Sequence, residues 1–233
     1  MSGGEFRRPA KKYQPRGMRI LYEDRDIIAV DKKSGLLTIS SADVRDNTAY
    51  FLLNNYVRKG NAKSRKRVFV VHRLDRDTSG VIVFAKTEEA KRFLQDNWKD
   101  FDKSYLAVVR GRPQEECGTI SSYLAENRAF RMYSVDNPGL GKFARTGYKV
   151  VRSRGDRSLL EIALYTGRKN QIRVHMADLG CPVVGDNKYG VKESGIKRLA
   201  LHAASLTIIH PYNKKRLRFE AEMPPYFKTL LKK

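Results

Sequence analysis

The chain has 233 residues, of which 41% are hydrophobic, so it has enough apolar material for a packed core. This composition excludes a disordered tail and a fibrous repeat. The 47 Lys and Arg residues exceed the 25 Asp and Glu residues and give a net charge of +22. Because folding does not require such an excess, we expect a polyanionic partner, with nucleic acid first and an anionic membrane surface second. Two cysteines exclude a disulfide framework and a four-thiolate zinc site.

The N-terminal residues 1–17 are basic, contain Pro and Gly, and lack the apolar stretch of a secretory signal. They predict a flexible basic arm over residues 1–18, for which a functional arm and a plain disordered terminus are equally good interpretations. No run approaches the roughly 18 apolar residues that cross a bilayer, so we expect no membrane partner and a cytoplasmic location. Residues 19–233 are predicted to form one domain, without a recognisable linker or repeat.

Short apolar runs between turn residues predict strands, and apolar residues three and four apart predict helices. Strands outnumber helices and do not alternate regularly with them, which favours an α+β fold with a mixed, largely antiparallel sheet flanked by helices. Thr87 is expected to cap the second helix. In chain order, the predictions are strands over residues 20–22, 27–30 and 36–39, a helix over 48–57, strands over 68–71 and 81–85, a helix after Thr87, strands over 105–109, 119–123, 146–151 and 159–164, a helix over 170–179, strands over 201–209 and 217–221, and a short helix from about residue 225.

A basic loop follows the first predicted helix. Six of the ten residues from 58 to 67 are basic and none is acidic. Charge runs are often only solvated, but this one directly precedes the most distinctive motif of the chain. We therefore expect Lys63, Arg65, Lys66 and Arg67 to contact nucleic-acid phosphates.

The stretch HRLDRDTSG at residues 72–80 lies between two predicted strands and holds two carboxylates among cations. Arg73 and Arg76 favour the ionised forms of the neighbouring carboxylates. An ionised carboxylate in such a loop can act as a nucleophile, a base or a metal ligand. A salt-bridged structural loop is the better interpretation of Asp77, because turn-forming residues follow it, whereas the role of Asp75 stays open.

The stretch LYTGRKNQIRVH at residues 164–175 passes through a glycine turn and then begins a helix. Backbone N–H groups at a helix N-terminus attract anions, so a phosphate and the carboxylate of Asp75 are candidate ligands. A helix capped by Asn170 would explain the fold. It would leave Arg168, Lys169 and Arg173 unexplained, because cations are unfavourable at this end of the helix dipole.

Signatures of cofactor and metal sites are missing from the sequence. It contains no glycine-rich phosphate loop of the GxGxxG or GxxxxGK type. The four histidines are scattered and show no metal-ligand spacing. We therefore predict no metal site and no bound cofactor.

HRLDRDTSG and TGRKNQIRVH together resemble the RluA family of pseudouridine synthases. Weaker matches in the expected order are ILYEDRDIIAVDKKSGLL at residues 20–37, KSY at 103–105 and RLALHA at 198–203. Lys33 stands where the family usually has Pro, and Asn170 where it usually has His, but neither position is catalytic. The family's small S4-type RNA-binding domain has no room before residue 19, so we expect the chain to act without it.

The resemblance implies the pseudouridine synthase fold and the isomerisation of uridine to pseudouridine in RNA. In this reaction the N1–C1′ glycosidic bond breaks, the base turns, and C5 bonds to C1′, so neither cofactor nor metal is needed. The resemblance makes Asp75 the essential carboxylate, acting by attack on the sugar, attack on the base or abstraction of the C2′ proton. It makes Tyr105 the ring that stacks on the uracil and Arg173 the cation that pairs with Asp75.

The resemblance also implies how the substrate is held. Arg73 would fill the space left by the flipped uridine, because a planar guanidinium stacks on bases. Arg168 would contact the RNA, and Ile172 and Leu201 would line the pocket. The expected partner is 23S ribosomal RNA, tRNA or both, and the expected state is a monomer.

Two alternatives remain. One is a non-catalytic RNA-binding or ribosome-assembly factor on the same fold, which the set of Asp75, Tyr105 and Arg173 disfavours because binding alone does not require it. The other is a metal-dependent nuclease that uses Asp75 and Asp77. The lack of further clustered carboxylates disfavours this second alternative.

Overall fold

A computed structural model of the chain describes residues 9–10, 13–40, 46–61, 63–196 and 198–232. Within them the chain forms eleven strands and four α-helices. The predicted arm over residues 1–18 lies largely outside the described residues. In chain order, the elements are β1 (Met18–Glu23), β2 (Ile27–Lys32), α1 (Ala49–Arg58), β3 (Phe69–Val70), β4 (Ser79–Ala85), α2 (Glu88–Asp96), β5 (Asp102–Arg110), β6 (Cys117–Glu126), β7 (Met132–Val135), β8 (Lys142–Arg154), β9 (Arg157–Leu164), α3 (Gln171–Asp178), β10 (Leu201–Ile209), β11 (Arg216–Glu220) and α4 (Pro225–Leu230).

The chain divides into two compact units, and two chain segments contribute to each of them. Unit 1 comprises Met1–Phe101 and Ser205–Ala221, and unit 2 comprises Asp102–Ala204 and Glu222–Lys233. The strand β10 passes from unit 2 into unit 1. That residues 19–233 act as one catalytic domain stays a prediction.

In unit 1, β2 lies between β1 and β4, and both pairings are antiparallel. β3 pairs with the end of β4, and β11 pairs with β10, again antiparallel. Every residue of β4 is buried, so both faces of this strand are covered. Thr87 caps α2 as predicted, since its hydroxyl oxygen accepts the N–H of Ala90 at 3.1 Å. The buried face of α2 then packs on the apolar core of the unit through Ala90 and Leu94.

In unit 2, five strands follow the order β5–β9–β8–β6–β7, and all four pairings are antiparallel. The two faces of this sheet differ along β8, because successive side chains of a strand point to opposite sides. Ala144 and Thr146 are buried, whereas Phe143 and Arg145 are exposed. α3 packs on the buried face, where His175 contacts Thr146. The opposite face carries the exposed side chains.

The predicted α+β architecture with a largely antiparallel sheet is confirmed. The predicted strand over residues 36–39 is wrong, since only Leu37 forms an isolated bridge, to Thr48. The carbonyls of Leu37 and Thr38 instead accept the N–H groups of Ala49 and Tyr50 at 2.8 and 3.0 Å. This segment thereby supports the start of α1 and is not available to pair as a strand.

The short strand β7 was not predicted, because its four residues carry too little alternation to stand out. It pairs with β6 in unit 2. None of the described helices is long and apolar enough to cross a bilayer.

Candidate active site

Asp75 lies in the loop of unit 1 that joins β3 to β4. Its side chain is half-buried, and those of Arg73 and Arg76 are exposed. The Asp75 carbonyl accepts the N–H of Thr78 at 3.2 Å, which closes a turn. Arg76 Nε lies 3.3 Å from Asp77 Oδ1 in an exposed ion pair. This ion pair agrees with the interpretation of Asp77 as a residue of a salt-bridged structural loop.

Lys32 holds the backbone of this loop from inside unit 1. Its side chain is fully buried at the end of β2. Its Nζ donates hydrogen bonds to the carbonyls of Lys33, Leu36 and Arg76 at 3.2, 2.8 and 3.1 Å. Three carbonyl acceptors match the three donors of an ammonium group, which a buried cation needs. Nothing in the local sequence distinguishes Lys32 from an exposed turn lysine, so this role was not predicted.

Two hydroxyl groups hold the same loop. Thr38 Oγ1 accepts the N–H of Leu74 at 3.2 Å and donates to the Leu74 carbonyl at 2.8 Å. Ser34 Oγ donates to the Asp77 carbonyl at 2.7 Å. The backbone is thus bonded immediately before Asp75 and over the two residues after it. Such restraint is what the positioning of a reactive carboxylate requires.

His72 ties the first residue of the loop to the core of unit 1. Its Nε2 accepts the N–H of Val83 at 3.1 Å, and its ring stacks on Trp98 with 4.2 Å between the ring centroids. Trp98 also meets Phe101 edge to face and packs against the apolar core. The first residue of the loop is therefore held in place by a hydrogen bond and by ring stacking.

Unit 1 also brings together Asp24, Asp26 and His210, whose candidate ligand atoms lie within 4.8 Å of one another. The Asp24 carboxylate accepts the N–H groups of Asp26 and Ile27, the Tyr22 hydroxyl and His210 Nε2. Burial alone would raise the pKa of Asp24, but these hydrogen bonds hold that pKa below its usual value. Four donors occupy this carboxylate, so the cluster is explained as a structural cap. Local spacing did not show it, because Asp24 and His210 are far apart in sequence.

In unit 2, Arg173 in the first turn of α3 forms a bidentate ion pair with Asp186. The Nε–Oδ2 and Nη2–Oδ1 distances are both 2.7 Å. The Asp186 side chain is fully buried, and that of Arg173 is 13% exposed. Burial alone would raise the pKa of Asp186, but the hydrogen bonds and charge of Arg173 hold that pKa below its usual value. Asp186 was not predicted, and it gives the Arg173 guanidinium a fixed orientation.

The turn after Asp186 completes the support of Arg173. Asp186 Oδ1 accepts the N–H groups of Lys188 and Tyr189 at 2.9 and 3.0 Å. The Tyr189 ring lies 5.1 Å from Arg173 Cζ, within the range of a cation–π contact. Gly185, just before this turn, has φ +76°, and a Cβ there would lie 2.2 Å from a backbone oxygen. Only glycine fits this position, so Gly185 allows the turn that positions the Asp186 carboxylate.

Asn170 occupies the N-cap position of α3, as predicted, but its side chain forms no capping hydrogen bond. It adopts a left-handed conformation with φ 54°, and its Oδ1 accepts the Tyr189 hydroxyl at 3.1 Å. The start of α3 is instead bonded through Gln171, whose Oε1 accepts the N–H of Arg168 at 3.0 Å. Arg168 itself is exposed, and its Nε donates to the Phe143 carbonyl at 2.9 Å.

Three more predicted site residues lie together in unit 2. Ile172 and Leu201 are 5% and 4% exposed and belong to the apolar core. Tyr105, on β5, is half-buried and packs against that core. Ile172 directly precedes Arg173 on α3. Unit 2 therefore brings an aromatic ring and two aliphatic side chains to one core, and the fixed cation Arg173 follows Ile172 on α3.

A chain of hydrogen bonds beneath α3 contains His175. Gln171 Nε2 donates to Thr146 Oγ1 at 2.8 Å, Thr146 Oγ1 lies 2.8 Å from His175 Nδ1, and His175 Nε2 lies 3.0 Å from Ser122 Oγ. Thr146 accepts from Gln171, so its own proton is directed at His175 Nδ1. This arrangement suits a neutral imidazole with its proton on Nε2. In agreement, burial lowers the pKa of His175 from 6.5.

The His175→Gln variant is expected to lose less stability than wild type on acidification. Below about pH 6.5, His175 binds a proton in the unfolded chain but stays neutral in the folded chain. Acid therefore lowers the free energy of unfolding of wild type, and this loss stops only below the lowered pKa that His175 has in the folded chain. At neutral pH the variant should be less stable by about 1–3 kcal/mol, because Thr146 loses its acceptor. Urea unfolding at about pH 7.5 and about pH 5.5 measures both effects. Equal losses in the two proteins would contradict a neutral buried imidazole.

The basic loop that follows α1 lies in unit 1. Lys63, Arg65 and Lys66 are exposed. Arg67 is exposed too, but its guanidinium lies 3.1 Å from a Glu88 carboxylate oxygen and 4.8 Å from the centre of the Phe69 ring. The first three cations are therefore better placed than Arg67 to bind phosphate groups.

Comparison with known proteins gives consistent matches. Residues 26–178 match the sequence profile of a family described as RNA pseudouridylate synthase. The ribosomal large subunit pseudouridine synthase D of Zymomonas mobilis is 34% identical over 229 residues, which cover 92% of this chain and 72% of that protein. An uncharacterized RNA pseudouridine synthase of Bacillus subtilis is 35% identical, covering 91% of this chain and 70% of its own length. The solved structure of human RNA pseudouridylate synthase domain containing 1 aligns with a TM-score of 0.70 at 28% identity, covering 95% of this chain and 88% of that one.

Proposed function

We propose that Asp75 is the catalytic carboxylate of this chain, which belongs to the RNA pseudouridylate synthase family and isomerises uridine to pseudouridine in RNA. The supporting observation is the restrained loop, in which Lys32 and Thr38 bond the backbone on either side of a half-buried Asp75. A carboxylate on such a loop meets the geometric demand for reaction with a bound nucleotide. Membership of the family favours turnover over the binding-only alternative.

The isomerisation neither adds atoms to the nucleotide nor removes any from it overall. The N1–C1′ bond breaks and C5 bonds to C1′, while C5 loses a proton and N1 gains one. We assign Tyr105 to stacking on the uracil, with Ile172 and Leu201 as apolar walls. We assign Arg173 as the catalytic cation, and its pairing with Asp75 stays a prediction. In this scheme Asp186 holds Arg173 in position.

The remaining predicted residues hold the RNA. Arg73 is exposed beside Asp75, and its planar guanidinium is suited to replace a base that leaves its stack. Arg168 is an exposed cation in the turn before α3 and is suited to a phosphate. Both assignments take single-stranded or loop RNA as the substrate, because a uridine leaves its stack at the lowest free-energy cost in that form.

The proposed substrate is large-subunit ribosomal RNA, and the proposed state is a cytoplasmic monomer. The substrate is supported by the relative named ribosomal large subunit pseudouridine synthase D, which aligns with 92% of this chain. Pseudouridines mapped across total RNA by carbodiimide adducts and primer extension, with and without the gene, test this. Loss of sites in ribosomal RNA is expected. Loss confined to tRNA would assign the substrate to tRNA instead.

Replacing Lys63, Arg65 and Lys66 together with Ala is expected to weaken RNA binding and to flatten its salt dependence. Each RNA phosphate that the protein no longer neutralises lowers the slope of log K against log salt by about 0.7 for single strands, so the triple variant should lower it by up to about 2. Arg67→Ala is the control and should change the slope by less than the value of about 0.7 expected for one lost contact, because Glu88 already pairs with that charge. Fluorescence titrations over a range of salt concentrations measure the slope. An unchanged slope in the triple variant would mean that the loop is only a solvated surface.

A further inference from the structure

The exposed face of the unit 2 sheet carries a group of aromatic rings and guanidinium groups of which the proposed function uses only Arg168, as a phosphate contact. We call it the outer patch, and its members lie on neighbouring strands or at their ends. Phe143 and Tyr165 are 44% and 50% exposed, although large apolar side chains are usually buried. The members of the outer patch are Tyr123, Phe143, Arg145, Tyr165 and Arg168.

The outer patch contains one contact between two rings and one between a guanidinium group and a ring. Tyr123 and Phe143 are cross-strand partners of β6 and β8, and their rings meet edge to face at 5.7 Å. The Arg145 guanidinium lies 4.9 Å from the centre of the Tyr165 ring. Arg168 is held beside Phe143 by its bond to the Phe143 carbonyl. Flat groups of both kinds are therefore presented on one face.

The backbone is shaped to keep the Tyr165 ring on this face. A Cβ at position 147 would lie 3.1 Å from the ring, so Gly147 allows Tyr165 to rest against the strand. Thr166 Oγ1 accepts the N–H of Arg145 at 2.8 Å and holds the turn beside the ring. The outer patch is thus pre-arranged, which lowers the entropic cost of binding.

The charge of the outer patch selects an anionic ligand. Arg145 and Arg168 lie within it, and two acids lie on the same face. Glu161 stands opposite Lys149 in the strand register, and Asp102 is exposed at the start of β5, two residues before Ser104. The two guanidinium groups of the outer patch outnumber the one acid beside it. The hydroxyl of Ser121 lies opposite Arg145 and adds a hydrogen-bonding group. Exposed rings on an antiparallel sheet, flanked by arginines, are suited to stack on unpaired bases and to pair with their phosphates.

We propose that the outer patch binds a single-stranded segment of the substrate RNA that lies outside the target nucleotide. The proposal rests on the proposed function in that it takes RNA as the substrate. Its surface is separate from the predicted catalytic residues of unit 2, because α3 with Arg173 packs on the opposite, buried face of β8. The outer patch therefore adds affinity for flanking sequence and not chemistry at the uridine.

The test measures binding of a fluorescein-labelled single-stranded RNA of about 12 nucleotides by anisotropy, beside a duplex of the same sequence. The double variant Phe143→Ser/Tyr165→Ser is expected to bind the single strand at least about tenfold more weakly than wild type. Tyr212→Ser is the matched control, because Tyr212 is 81% exposed in unit 1, and its affinity should equal that of wild type. If the serine variant unfolds, Phe143→Leu/Tyr165→Leu keeps the apolar bulk and removes the rings.

Photo-crosslinking of 4-thiouridine RNA, read by mass spectrometry, locates the contact directly. Adducts are expected on peptides that contain Phe143 or Tyr165. Wild-type affinity of both double variants, with adducts elsewhere, would overturn the proposal, as would concentration-dependent dimerisation that the double variant abolishes. Failure of the proposed function has a different signature, namely wild-type protein that forms no pseudouridine in any RNA. Binding and crosslinking at the outer patch need no turnover and should also be found with Asp75→Asn.

Discussion

Replacing Asp75 with Asn is expected to abolish pseudouridine formation, with turnover reduced at least about 10⁴-fold, while RNA binding stays close to that of wild type. Asn has nearly the same shape as Asp but carries no negative charge, so it neither attacks as a nucleophile nor removes a proton. The loop should keep its form, because its backbone is bonded through Lys32, Thr38 and Ser34. Tritium released from C5 of labelled uridine in RNA measures turnover.

Asp77→Asn is the matched control for this experiment. It makes the same chemical change two residues away, in a carboxylate that forms an exposed pair with Arg76. Exposed pairs contribute only about 0–1 kcal/mol, so this variant should keep its fold and most of its turnover. Turnover near that of wild type in Asp75→Asn, or an equal loss in both variants, would contradict the assignment of Asp75.

Replacing Arg173 with Met is expected to lower turnover at saturating RNA by about 10²–10³-fold and also to destabilise the protein. The destabilisation follows from Asp186, which would remain fully buried without its partner. Breaking a buried pair in this way costs about 3–5 kcal/mol. Urea unfolding and the tritium-release assay measure the two effects separately.

The double variant Arg173→Met/Asp186→Asn separates catalysis from folding. An Asn at 186 can still accept the N–H groups of Lys188 and Tyr189, so most of the stability should return while turnover stays low. Arg168→Met serves as a second control and should weaken RNA binding with little change in turnover at saturation. Recovery of turnover in the double variant would make Arg173 a purely structural residue. A larger loss of saturated turnover in Arg168→Met would reverse the two assignments.

Several features of this protein were determined by the sequence alone. The charge of +22 indicated a polyanionic partner, and two motifs, at residues 72–80 and 166–175, indicated the family. The assignment of Asp75 as the catalytic carboxylate stays a prediction. The strand β10 and the helix α3 were predicted within one residue of their ends. These features are local, since periodicity, caps and motif spacing depend on residues a few positions apart.

The tertiary structure alone decided which side chains support the site. Lys32 resembles a turn lysine in sequence, yet it is buried because the carbonyl of Arg76, 44 residues away, lies within reach of its ammonium group. Nothing in the local sequence marks Asp186 as the partner of a cation, and only the tertiary structure places it against Arg173 on α3.

The outer patch also depends on contacts between segments that are distant in sequence. The predicted strand over residues 146–151 covers only part of β8, and the local pattern does not show that Tyr165 and Arg168, beyond the end of β9, complete the exposed face of β8. Buried charges and shared faces depend on which distant segments meet. A local sequence pattern indicates whether a residue prefers solvent or the core. It does not indicate which distant residue forms its hydrogen bonds or packs on its ring, because that depends on how the strands pair.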